Sequence, residues 1–119
     1  MILAVLDDLL FSSKIKSVAG HLGIPVSLAR SAQVALDAMR QTTPALVILD
    51  LTTPRIDALG IVAAMKADPT LEAIPTLAFA GHTQTDLFDK ARQAGVGSIL
   101  TRGAFAEHLP EIVANPRPT

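Results

Sequence analysis

A chain of 119 residues that is half apolar, 18% charged and of formal charge −1 is long enough for one real core, too short for two, and not a disordered tail. It has no basic block and only 3% aromatic residues, so both the phosphate-binding patch and the stacking platform of a direct nucleic-acid binder are lacking. The absence of cysteine removes disulfides, thiol catalysis and cysteine-ligated zinc together.

The first apolar run, Ile2 to Leu6, reads as a strand and ends in Asp7 and Asp8. It lacks the charged start and long apolar stretch of a signal peptide, and no segment approaches the roughly 18 apolar residues of a membrane span. A cytoplasmic protein with no membrane association is therefore expected. Phe11, Ile15, Val18, Ala19 and Leu22 follow at the spacing of one helix face. A second strand is expected near Pro25, then a helix carrying Val34, Leu36 and Met39.

The most telling stretch is Ala45-Leu46-Val47-Ile48-Leu49-Asp50, where five apolar residues end in one carboxylate and Thr52-Thr53-Pro54 marks a loop. Such a run suits a strand buried on both faces of a parallel sheet. A third helix runs from about Ala58 to the Asp68-Pro69 stop. A fourth strand begins near Pro75, and the helix with Leu87, Phe88 and Ala91 closes at Gly95 as its C-terminal cap. A fifth strand begins near Gly97. Pro110 falls inside the last helical segment, Phe105 to Val113. It would cost about 3 kcal/mol in a helix interior and little in a first turn, so a short or broken helix ending before Asn115-Pro116 is expected.

Strands and helices alternating at this spacing predict βαβ units with right-handed crossovers, hence an α/β fold: a three-layer, doubly wound, five-stranded parallel sheet. Residues 1–115 are expected to form a single domain and 116–119 a short frayed tail. In such a sheet ligands collect outside the carboxyl ends of the strands. With the first and third strands adjacent, Asp7, Asp8 and Asp50 converge there. Clustered carboxylates repel one another and need a cation or a shifted pKa to coexist. Mg²⁺, which takes one or two carboxylates and keeps several waters, suits them. Asp7 and Asp8 also suit a helix cap, where acids are favourable in any case. Asp57 is expected to start the third helix, and His21 to complement a helix dipole. His82 is placed in a loop above the crevice, and His108 shows no partner.

The ordered set of Ile2-Leu3-Ala4-Val5-Leu6-Asp7-Asp8, Leu46-Val47-Ile48-Leu49-Asp50-Leu51, Pro54, Asp57, Ile74-Pro75, Ala94-Gly95 and Leu100-Thr101-Arg102 resembles the receiver domain of two-component response regulators. The resemblance spans about residues 1 to 115. It implies a flavodoxin-like sheet of strand order 2-1-3-4-5 and a phosphoryl-accepting aspartate at Asp50. It further implies Mg²⁺ held by Asp7, Asp50 and the backbone carbonyl of Thr52. The expected partner is a protein, a sensor histidine kinase or phosphotransfer protein, met by a monomer or weak homodimer that is not itself an enzyme.

The pattern breaks at several positions. Leu6 stands where the family has the first acid of a pair, Ala80 where it has a threonine or serine, Arg102 where it has lysine, Gly103 where it has proline, and Ile99 at its aromatic switch position. A hydroxyl missing at Ala80 removes a hydrogen bond to a charged phosphoryl oxygen, of order 1.5–3 kcal/mol, so switching is expected to be weak. Thr83 and Thr101 are near in sequence, but neither takes the hydroxyl's position. Arg102 keeps the charge as a planar fork and is expected to bridge to Asp50.

The function expected is an atypical, degenerate, stand-alone receiver module of a phosphorelay, with Asp50 as candidate phosphoacceptor, acting by protein contact. The face of helix four, strand five and helix five, which partners read in the family, carries Leu87, Asp89, Ile99 and Ala104 here. The alternatives are a phosphorylation-independent pseudo-receiver docking module, with Asp50 vestigial or structural; a flavodoxin-like small-ligand binder; and an aspartyl phosphatase. Against the ligand binder stands Leu9-Leu10-Phe11 in place of a Gly-rich phosphate loop. Against the phosphatase stands Thr52 in place of a second aspartate.

Overall fold

β1 (Ile2–Val5), β3 (Leu46–Asp50) and β4 (Thr76–Ala80) are buried at every position in the computed structural model, which describes residues 1–116. A strand covered on both faces has no water-facing side, and this is why its sequence is an unbroken apolar run. β2 (Val26–Ala29) and β5 (Ser98–Thr101) are the edges, and both are more mixed in burial. All neighbours pair in parallel, in the order β2-β1-β3-β4-β5. The doubly wound sheet expected from the sequence is the sheet observed.

Among the described residues six helices cover its faces: α1 (Leu9–Leu22), α2 (Ala32–Thr42), α3 (Ala58–Ala67), α4 (Thr85–Ala94), α5 (Arg102–Glu107) and α6 (Leu109–Ala114). None is long and apolar enough to cross a membrane. The two-residue period of the strands divides the core in two. Leu3, Val5, Val47, Leu49 and Ala78 pack under α2, α3 and α4, and Ile2, Ala4, Leu46, Ile48 and Phe79 pack under α1, α5 and α6. Leu6 continues the second set, 1% exposed. The leucine at that position is core.

Local signals bound the helices, with Gly95 and Asp68 at the ends expected from the sequence. Gly23 and Gly95 close α1 and α4 at φ 69° and 97°, a left-handed turn that costs glycine nothing. Asp57 caps α3 through the Gly60 N–H, and His21 lies in the last turn of α1. The final helical segment is broken at His108, and Pro110 sits in the first turn of α6, where its missing N–H costs little. Of the expected tail, residues 117–119 lie outside the described residues.

Candidate functional site

Because every strand runs the same way, the carboxyl ends of β1, β3, β4 and β5 share one rim. Asp50 closes β3 there, 2% exposed, and its Oδ1 accepts from the Thr52 N–H at 2.8 Å and the Thr52 hydroxyl at 2.6 Å. This Asp-x-Thr turn is local chemistry: a short acidic side chain satisfies the backbone two residues on. The same turn recurs at Asp68-Pro69-Thr70, with bonds of 2.9 and 2.7 Å. Asp50 Oδ2 has no protein donor among the described residues and keeps access to the cleft.

Arg102 opens α5 directly after β5, so the strand end aims its side chain back across the rim. Its Nη2 donates to the Thr52 hydroxyl at 2.6 Å and lies 3.8 Å from Asp50 Oδ1, while Nη1 lies 3.5 Å from Asp8 Oδ2. The expected Arg102–Asp50 ion pair is thus observed, with the threonine hydroxyl inserted between the partners. Beneath the guanidinium lie the rings of Phe11 and Phe79, 5.2 and 5.6 Å from its central carbon. Phe79 stacks on Phe105 at 4.4 Å, so this platform is anchored in the core. A planar cation with apolar faces and donor edges suits the arrangement, and an ammonium would leave the rings uncovered.

Both acids after β1 have other work. Asp8 caps α1, its Oδ1 accepting from the Leu10 and Phe11 N–H groups at 2.9 and 3.1 Å. Asp7 Oδ2 faces Arg55 at 3.8 Å, a pair whose arginine is 82% exposed and therefore worth little. Asp7, Asp8, Asp50, Thr52 and Arg102 line one cavity of about 250 Å³. On the far side of Arg102 a second cavity of about 420 Å³ is lined by Phe11, Gly81, His82 and Ala106. A larger one, about 630 Å³, lies at the opposite rim around Met1, Pro44, Ile74 and Pro75 and holds no charged side chain.

The rim thus gathers Asp7, Asp50, Thr52 and Arg102. Ala80 closes β4 beside Thr101, fully buried and without a hydroxyl to offer. Thr101 Oγ1 is spent capping α5 through Ala104 N–H. Exposed His82 lines the neighbouring cavity, Asp57 serves its helix, and His108 pairs with Glu111 at 2.9 Å. Sequence reasoning missed the bridging role of the Thr52 hydroxyl, and with it the Asp8 and Arg55 pairings and the Phe11 platform. Of these only the Asp-x-Thr turn has a local signature in the sequence.

A five-stranded 2-1-3-4-5 sheet with an acid at the end of β3 and a basic residue after β5 defines a class of signalling domain, and a family model bears this out. The Response regulator receiver domain matches residues 2–114, and the chain belongs to that family, the receivers of two-component signalling. It is 32% identical over 94 residues to the transcriptional activator protein ExaE of Pseudomonas putida, covering 79% of this chain and 43% of the relative. With protein-glutamate methylesterase/protein-glutamine glutaminase 1 of Anaeromyxobacter dehalogenans it shares 27% identity over 117 residues, 98% of this chain and 29% of the relative. The chain therefore spans less than half the length of these curated relatives. The receiver domain of NtrX from Brucella abortus superposes with a TM-score of 0.80 at 21% identity, over 94% of this chain and 93% of that one.

Receiver domains bind Mg²⁺, so the cleft can be tested for its fit to that ion. Leu6 lies in the core where the family has an acid, both Asp8 oxygens meet protein donors, one Asp50 oxygen is held by Thr52, and Arg102 stands 3.5 and 3.8 Å from these two acids. Mg²⁺ needs near-ideal octahedral oxygen geometry, and a guanidinium beside Asp50, the acid that the expected set of Asp7, Asp50 and the Thr52 carbonyl depends on, does not fit it.

Proposed function

We propose that this receiver takes a phosphoryl group on Asp50 and passes the signal on by protein contact, with a weakened switch. The observation that carries the reading is the asymmetry of one carboxylate: Oδ1 is fixed by Thr52, and Oδ2 is open to the cleft beside the cationic edge of Arg102. In the reaction Oδ2 attacks phosphorus and a carboxyl–phosphorus bond forms. The bond to the leaving group of the phosphodonor breaks, and the electron pair departs with that group. Positioning and fixed positive charge are most of what such a transfer asks of a protein. The phosphodonor fits a sensor histidine kinase or phosphotransfer protein, as is general for receivers.

The weakness of the switch follows from Ala80, which offers a phosphoryl oxygen no hydroxyl and leaves the loop before α4 without that pull. Treatment with acetyl phosphate, followed by intact mass measurement, tests the assignment: an adduct of about 80 Da in the wild type and none in Asp50→Asn. The prior engagement of Arg102 with Thr52 and Asp8 favours a second reading, docking that ignores phosphorylation, and an absent adduct in the wild type selects it.

A further inference from the structure

Three carboxylates, Asp7, Asp8 and Asp50, face one cavity, and Asp50 is almost fully buried. Repulsion among them must be balanced, since a buried charge without a partner is strongly destabilising. Arg55 contributes little, being 82% exposed and 3.8 Å from Asp7. Arg102 is placed otherwise: three acceptors lie within 4 Å of its edges, two aromatic rings lie under its face, and its side chain is only 36% exposed.

We propose that the Arg102 guanidinium is the resident cation of this cleft, taking the charge-balancing place of a divalent metal and serving Asp50 through the Thr52 hydroxyl. The proposal deepens the reading of Asp50 as acceptor, on which it rests. The cleft is balanced without a divalent ion, and such an ion gains a foothold only when Arg102 is removed. The rings of Phe11 and Phe79 reinforce this choice, because an apolar platform stabilises a weakly hydrated guanidinium and offers nothing to the water shell of a small dication.

Mn²⁺ titration, followed by loss of the free-ion paramagnetic resonance signal, tests this without any phosphoryl transfer, so its outcome is separate from that of the acetyl phosphate experiment. The wild type is expected to show no Asp50-dependent binding. Arg102→Ala and Arg102→Gln should gain affinity by about tenfold or more, as expected when a cation within 4 Å of two acids is deleted, and adding Asp50→Asn should abolish the gain. Arg102→Gln keeps an amide donor toward Thr52, so the question stays answerable if the alanine variant does not fold. Wild-type Mn²⁺ binding that is lost in Asp50→Asn, equal affinity in wild type and both variants, or a gain indifferent to Asp50 would each overturn the proposal. The first of these needs no Arg102 variant.

Discussion

Arg102 and Asp50, which come from different strand ends, meet through a third side chain: the Thr52 hydroxyl accepts from Arg102 at 2.6 Å and donates to Asp50 Oδ1 at 2.6 Å. One hydroxyl has one proton and two lone pairs, so it can bridge a donor and an acceptor at once. Removing it leaves a buried carboxylate oxygen one donor short. Thr52→Val should therefore cost about 1–3 kcal/mol, with Thr52→Ser close to wild type. Urea unfolding of the two variants checks the contrast, and equal stability would mean the bridge carries no weight.

The aromatic platform gives a graded prediction. Phe105 is fully buried and stacked on Phe79, so Phe105→Ala should cost about 3–5 kcal/mol. Phe11 is only half-buried and touches Arg102 by its face. A double-mutant cycle of Phe11→Leu with Arg102→Ala should give a coupling of about 0.5–1 kcal/mol. A coupling of zero in thermal or urea unfolding would remove Phe11 from the support of the guanidinium.

Asp68 supplies the pH dependence. The Thr70 hydroxyl, then the Thr70 backbone N–H and then nearby Arg40, hold its carboxyl below the ordinary carboxylate value. A depressed folded-state pKa means stability that is present above the unfolded value, about 3.9, and lost as pH falls through the folded one. Thr70→Val should move the Asp68 pKa upward, read by carboxyl-carbon NMR titration. An unmoved titration would show that the hydroxyl bond is not formed in solution.

Restoring the missing hydroxyl should strengthen the response. Ala80→Ser adds one oxygen at the end of β4, beside Thr101 and next to the loop that leads to α4. With acetyl phosphate present, amide shift changes over residues 81–85 should be larger in this variant than in the wild type. Changes of equal size would show that Ala80 does not limit the response.

The fold was legible where burial is two-sided: β1, β3 and β4 announce themselves as apolar runs, and edge strand β2 was placed mainly by the Pro25 signal before it. The α5–α6 break was legible from Pro110 alone, because proline's geometry is local. The meeting of Asp7, Asp50 and Arg102 at one rim was legible from strand ends and the family pattern. The Arg102 contacts to Asp8 and Phe11 were not, since they join α5 to the start of α1 and carry no trace in either segment. Thr52 lies between these cases. Its turn is written in two residues with one between them, and Asp68-Pro69-Thr70 writes it again.

The most direct test of the central claim is to locate the phosphoryl group rather than to weigh it. After acetyl phosphate treatment, borohydride reduction turns an aspartyl phosphate into homoserine, and peptide sequencing by mass spectrometry reads its position. Homoserine at position 50 and nowhere else is the predicted result. Homoserine at position 7 or 8, or at no aspartate under conditions that label a control receiver, would contradict the account.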